Sequence, residues 1–198
     1  MGAIHMSTRS KLLFLFLGLI LLLAACGEKD YNGDFSYEVS DFSYTNQDNE
    51  QFDSGELEGK FWIADFIFTN CETVCPNMTS NMVDLQKMLK DEGLEDIEFV
   101  SFSVDPEHDT PEKLKEYAAS RGASFDNWNL LTGYEFQEIK ELSIKSFKTM
   151  LEEAPDSDQM IHGINFFVVT PEGNAIKKFN GTQPAEMEKI VQYLKEVY

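Results

Sequence analysis

Positive charge is scarce in this chain. Its 198 residues hold 16 Lys and Arg against 35 Asp and Glu, a formal net charge of -19. A surface of that sign repels phosphate backbones and has no basic groove to neutralise them, which excludes nucleic-acid binding. Long apolar runs are scarce as well. Residues 12–25 make a stretch of fourteen, short of the ~20 that a helix needs to cross ~30 Å of hydrocarbon, so a multispanning membrane protein is excluded. Internal repeats and low-complexity segments are lacking. What remains is ordinary globular material, 42% hydrophobic and 13% aromatic, so wholesale disorder is excluded too. At about 150 residues per domain the length suits one core plus a tail.

The tail is at the front. Arg9 and Lys11 precede the apolar run at 12–25, and the chain then turns polar at Gly27, Glu28, Lys29 and Asp30. A basic start, a short apolar middle and small residues at the end describe an export signal rather than an anchor helix. Leu23-Ala24-Ala25-Cys26 resembles the lipobox of bacterial lipoproteins, in which the cysteine thiol is acylated before becoming the mature N-terminus; the alternative is an uncleaved anchor or a free thiol at Cys26. Met6 would begin an equally good signal, so His5 is left out of any site. The expectation is a signal peptide at 1–25, a lipidated Cys26 with a tether at 26–34, and a folded domain at 35–198. The lipid would place that domain at the extracytoplasmic face of the cell membrane. The acidity suits a soluble monomer.

Within the domain, residues 61–68 (FWIADFIF) are almost continuously apolar, as in a strand covered on both faces. Asp65 inside that run needs a buried partner. Pro76 stands at a helix start, Met78, Met82, Leu85 and Leu89 follow at helical spacing, and Gly93 closes the helix. Residues 97–104 read as a second strand, and Thr110-Pro111-Glu112 opens a helix that ends before Gly122. A short apolar stretch at 128–131 precedes a helix at 134–147, and 152–159 reads as an acidic loop. Residues 164–169 and 175–179 flank Pro171-Glu172-Gly173-Asn174, a hairpin signal, and Pro184 starts a last helix. This order gives an α/β fold of thioredoxin-like outline, with a mixed central sheet, flanking helices and a small added β-hairpin within 35–58.

Of three cysteines, lipidation would consume Cys26, leaving Cys71 and Cys75 to serve each other or a shared ligand. They lie in TNCETVCPN between a strand end and a helix start, where helical N–H groups should lower both thiol pKa values. A spacing of four puts both on one helical face. Three intervening residues allow a disulfide or an outward chelate for a soft metal. His162, just before the strand at 164–169, is the candidate third ligand. In a thioredoxin-like fold that loop faces the cysteines, and no proline stands near it to take the place of the thioredoxin cis proline.

The run DFIFTNCETVCPNM, followed by SFSVDPEHDTPEKL and by MIHG before a strand, resembles the Sco/SenC family of exported, membrane-tethered, thioredoxin-like proteins. The resemblance covers residues 61–198. It implies copper binding, as Cu(I) or Cu(II), through Cys71, Cys75 and His162, in assembly of the CuA centre of cytochrome c oxidase, with the CuA-bearing subunit as partner. His108 stands where the family often has a basic residue, and reads as an exposed loop residue or an extra imidazole near the site. Asp105 is a candidate for tuning the site through a hydrogen bond. Met78 and Met82 lie on the helix stripe and read as core; Met160 is an open possibility as a soft ligand.

Three functions compete at this level. The first is a copper metallochaperone. The second is an enzymatic role, with Cys71 and Cys75 as a redox pair that reduces the cysteines of the CuA subunit. The third is a thiol peroxidase, against which Cys71 lacks threonine-proline surroundings and a sequence-near arginine. Zinc is the alternative metal, since two Cys and one His plus water also suit it.

Overall fold

The structure, a computed structural model, describes residues 31–198 apart from 72 and 156. The expected signal at 1–25 and Cys26 lie outside the described residues. The folded unit runs from Asn32 to Tyr198.

The apolar run forms β4 (Trp62–Ile67), buried along its whole length. It pairs parallel with β5 (Glu98–Ser103) and antiparallel with β9 (Asn165–Val169). With β1 (Tyr37–Glu38), β6 (Trp128–Leu131) and β10 (Asn174–Asn180) these make one six-stranded mixed sheet in the order β1-β10-β9-β4-β5-β6. Burial on both faces explains why β4 shows no alternation. Its even-numbered residues Trp62, Ala64 and Phe66 join a cluster with Phe42, Phe102, Phe147 and Phe167. Ile63, Asp65 and Ile67 point to the other face, as a period of two requires.

Among the described residues four α-helices flank the sheet: α1 (Cys75–Asp91), α2 (Pro111–Ala119), α3 (Phe136–Phe147) and α4 (Pro184–Val197). Three of them begin where local chemistry favours a start: Pro occupies the first turn of α1, α2 and α4, and Thr110 Oγ1 accepts the Lys113 N–H at α2. Met78, Met82, Leu85 and Leu89 are all buried, and α1 packs against α4. Helix α1 stops before Gly93, whose φ of 74° suits the left-handed turn.

Two segments differ from expectation. The N-terminal segment is divided: β2 (Ser43–Thr45) and β3 (Gln51–Asp53) form the small hairpin, while β1 joins the edge of the main sheet against β10. The acidic loop is a β-hairpin, with β7 (Leu151–Glu153) paired to β8 (Met160–His162), so Glu152 and Glu153 are strand residues and His162 ends a strand. Pairing Leu151 with His162 buries Leu151 while both glutamates stay exposed.

Candidate metal centre

Strand β4 delivers the chain to the mouth of α1 through a tight turn. The Cys71 N–H donates to Phe68 O at 3.4 Å. Cys71 lies outside the helix, and the expected shared helical face is therefore replaced by another arrangement. The N-cap of α1, Val74, has no side-chain acceptor, and the Cys71 sulfur accepts the Cys75 N–H at 3.4 Å. A side-chain sulfur thus satisfies a donor at the helix start, where an oxygen is more usual. Cys71 is 6% exposed and Cys75 fully buried, both as free thiols.

Hairpin β7–β8 brings His162 to this pair. Its Nε2 stands 3.4 Å from Cys75 Sγ, and its Nδ1–H donates to Gly163 O at 2.9 Å. That donation fixes the orientation of the ring and leaves Nε2 facing the sulfurs. Phe68 holds the ring edge-on, with centroids 5.7 Å apart and planes at 82°.

The two thiols diverge, where both were expected to be lowered. Burial pushes Cys71 up, but hydrogen bonds from His162, from the Cys75 side chain and from the N–H groups of Cys75 and Thr73 outweigh it and bring the thiol down to about 5. Cys75 moves up, chiefly because it is buried and secondly because its proton is shared with the Cys71 sulfur; the Phe68 backbone opposes this. One negative charge is well solvated by donors there, and a second beside it is not.

Sulfur and imidazole form a donor set suited to a soft cation such as Cu(I), or to zinc. Among the described residues no group of three or more His, Cys, Asp and Glu side chains stands ready to hold a metal ion. The three donors are gathered by hydrogen bonds and are not spread as a finished coordination shell.

Other residues singled out by sequence fall elsewhere. Asp105 is buried, and its carboxylate receives His108 Nδ1 at 2.7 Å. His108 is exposed, lining with Met160 and Asp158 a cavity of about 180 Å³ beside the hairpin. Met78 and Met82 are core residues. Asp65 finds one partner: Ser101 Oγ donates to Oδ1, and Oδ2 has none. Sequence reasoning passed over Phe68 and Gly163. A glycine directly after the histidine was the available signal, because a Cβ there would meet Thr149 Oγ1 at 2.1 Å.

A mixed sheet with a cysteine pair where its central strand meets a helix, and with the loop before an antiparallel strand facing that pair, defines a thioredoxin-like dithiol protein. Among the described residues there is no cis peptide bond, and His162 occupies the facing position. The chain belongs to the SCO1/SenC family, whose profile matches residues 32–198. It is 46% identical over 179 residues to the SCO1 protein homolog of Bacillus subtilis, covering 90% of this chain and 92% of that protein. A SCO1/SenC family lipoprotein from Bacillus anthracis has a similar structure (TM-score 0.78, 43% identity, 81% of this chain and 95% of that one). So has BsSco, described as a member of the Sco family of cytochrome c oxidase assembly proteins with a disulfide switch (TM-score 0.75, 47% identity, 82% and 94%).

Proposed function

We propose that this chain is an extracytoplasmic copper metallochaperone, anchored through a lipid on Cys26, that assists assembly of the CuA centre of cytochrome c oxidase. Cys71, Cys75 and His162 hold the copper, which is cargo. The observation that carries this reading is the meeting of His162 Nε2 and Cys75 Sγ at 3.4 Å with the Cys71 sulfur beside them. Sco proteins of Arabidopsis thaliana and of yeast have been crystallised with copper bound. Softness selects the metal: thiolates favour copper over the hard cations of the medium, and Nε2 adds the third donor. Release proceeds by ligand exchange, as thiolates of the CuA-bearing subunit replace the donors one at a time.

The test is titration of the reduced protein from residue 27, which keeps the whole unit Asn32–Tyr198, with Cu(I) and with Cu(II). About one copper per chain is expected, with a large loss in Cys71→Ser, Cys75→Ser and His162→Ala. Full binding in His162→Ala would remove the reading. Zinc is separated optically, because a Cu(II)–thiolate complex is coloured and a zinc complex is not.

The inequality of the thiols supports a second reading, reduction of the cysteine pair of the CuA subunit. The Cys71 thiolate would attack the acceptor disulfide, form a mixed disulfide and expel one acceptor thiolate. Cys75, on losing its proton, would then close the Cys71–Cys75 disulfide and free the second acceptor thiol, so two electrons pass to the acceptor. His162→Ala should largely spare this activity while crippling the first.

A further inference from the structure

The turn that presents Cys71 hangs on a carboxylate from a distant part of the chain. Asp109 is 1% exposed. It accepts the Thr69 N–H at 3.2 Å on each oxygen, the Thr69 hydroxyl at 2.5 Å on Oδ1 and the Ser103 hydroxyl at 2.6 Å on Oδ2. Its own backbone is held as well: its N–H donates to Asp105 O at 2.9 Å, and its carbonyl accepts the Thr132 hydroxyl at 2.8 Å. One side chain therefore ties the ends of β4 and β5, and its carbonyl adds the end of β6. Thr69 stands two residues before Cys71, on the turn closed by the Cys71 N–H to Phe68 O contact.

The chemistry requires a carboxylate at this point. Three donors converge, and an ionised carboxyl accepts on both oxygens, whereas an amide has one acceptor oxygen and would set its NH₂ against a hydroxyl or N–H. Among the described residues no cation pairs with it, and burial raises its proton affinity while the hydroxyls of Ser103 and Thr69 lower it. Burying such a group is costly, and a position serving packing alone is better filled by an apolar side chain. The return is geometric. The contact from Cys75 N–H to the Cys71 sulfur spans 3.4 Å, an ordinary length for a sulfur acceptor, and it exists only where the turn places that sulfur; ligating groups must be held within ~0.5 Å.

We propose that Asp109 is a positioning residue for the metal centre: through Thr69 it sets where the Cys71 sulfur stands relative to Cys75 and His162. The proposal rests on the three-ligand reading above and assigns a purpose to the DPEHDTP segment that the ligands leave unexplained.

Thr69→Val removes the hydroxyl donor at nearly constant shape, Thr69→Ser retains it, and Ser103→Ala deletes a donor of the same carboxylate without touching Thr69. Three readouts apply: the Cu(II)–thiolate absorption band, the rate of copper loss to a chelator, and, with no metal present, the ratio of Cys71 to Cys75 alkylation by iodoacetamide at neutral pH. Thr69→Val and Asp109→Asn should shift the band, release copper ~10-fold faster or more and lower the alkylation ratio. Thr69→Ser should behave as wild type, and Ser103→Ala should fall between Thr69→Ser and Thr69→Val. A folded Thr69→Val with wild-type band, release rate and alkylation ratio overturns the proposal, and so does a Thr69→Ser as impaired as Thr69→Val. Should Asp109→Asn not fold, the Thr69 pair decides alone. If the three-ligand reading itself fails, wild type shows no thiolate band, and the metal-free alkylation ratio still reports whether Asp109 places Cys71.

Discussion

His162 and Cys75 lie 87 residues apart in sequence and meet with Nε2 3.4 Å from Sγ. The ring is aimed by a hydrogen bond on its far side, from Nδ1 to the carbonyl of the next residue, Gly163. Aim and reach are thus set by separate contacts. Replacing His162 with Ala should weaken copper binding by more than ~100-fold, beyond the ~10–100-fold cost of losing an outer hydrogen-bond partner. Competition titration against a chelator measures it. Unchanged affinity would remove the imidazole from the site.

Gly163 should tolerate no side chain unless Thr149 yields. A Cβ at position 163 would lie 2.1 Å from Thr149 Oγ1 and 3.3 Å from Thr149 Cβ. Gly163→Ala should therefore displace the hairpin end that carries His162 and weaken copper binding about 10-fold. Gly163→Ala with Thr149→Ala removes the offending oxygen and should recover most of the loss. A double variant no better than the single one would place the fault elsewhere.

The thiols should react in order. With Cys71 brought down to about 5 and Cys75 pushed up, iodoacetamide at pH 6.5 should label Cys71 and leave Cys75 nearly untouched, because only the thiolate is nucleophilic. His162 is among the groups that lower Cys71, so His162→Ala should shift the Cys71 labelling curve to higher pH. Mass spectrometry of the labelled peptides reads both. Equal labelling at pH 6.5 would contradict the assignment.

Asp65 should make stability fall as pH rises. Burial raises its pKa from the ordinary 3.8 to about 7, against the Ser101 hydrogen bond and the field of His162, which lower it. The folded state then binds the proton more tightly than the unfolded chain, so stability is greatest below pH 4, declines through the interval up to about 7 and is level above it. The span corresponds to about 4 kcal/mol at 1.36 kcal/mol per pH unit. Asp65→Asn lacks this slope and should gain on wild type between pH 4 and 8 by an amount of that order. Urea unfolding at several pH values measures it, and parallel curves would show that Asp65 does not titrate in this interval.

Phe147 joins helix α3 to the sheet. Its ring stands within 6.3 Å of those of Trp62, Phe66, Phe102 and Phe167, and it is 2% exposed. Phe147→Ala should cost ~3–5 kcal/mol, lowering the midpoint of thermal unfolding while leaving copper stoichiometry unchanged in the folded fraction. A loss under 1 kcal/mol would mean that the cavity collapses.

Much of this architecture is written in local pattern. The apolar run of β4, the methionine and leucine stripe of α1, and the Pro171 to Asn174 turn each obey a short period or a strict backbone preference, so neighbours in sequence carry the signal. Strands β7 and β8 escape such reading. Each has three residues, and β7 carries Glu152 and Glu153, so only the pairing of one with the other makes them strands. The place of Cys71 was also hidden: a spacing of four suits a helix, yet the helix begins at Cys75.

The sequence by itself determined the pair of thiols, the histidine that could join them and the strand–helix junction on which they stand. Residue type decides ligand softness, and periodicity decides the elements, without any distant contact. Only the tertiary structure decided that His162 approaches Cys75, that the two thiols move in opposite directions, and that Asp109 holds the Cys71 turn. Distances, burial and the number of donors around a group arise from segments far apart in the chain, and no local pattern encodes where those segments meet.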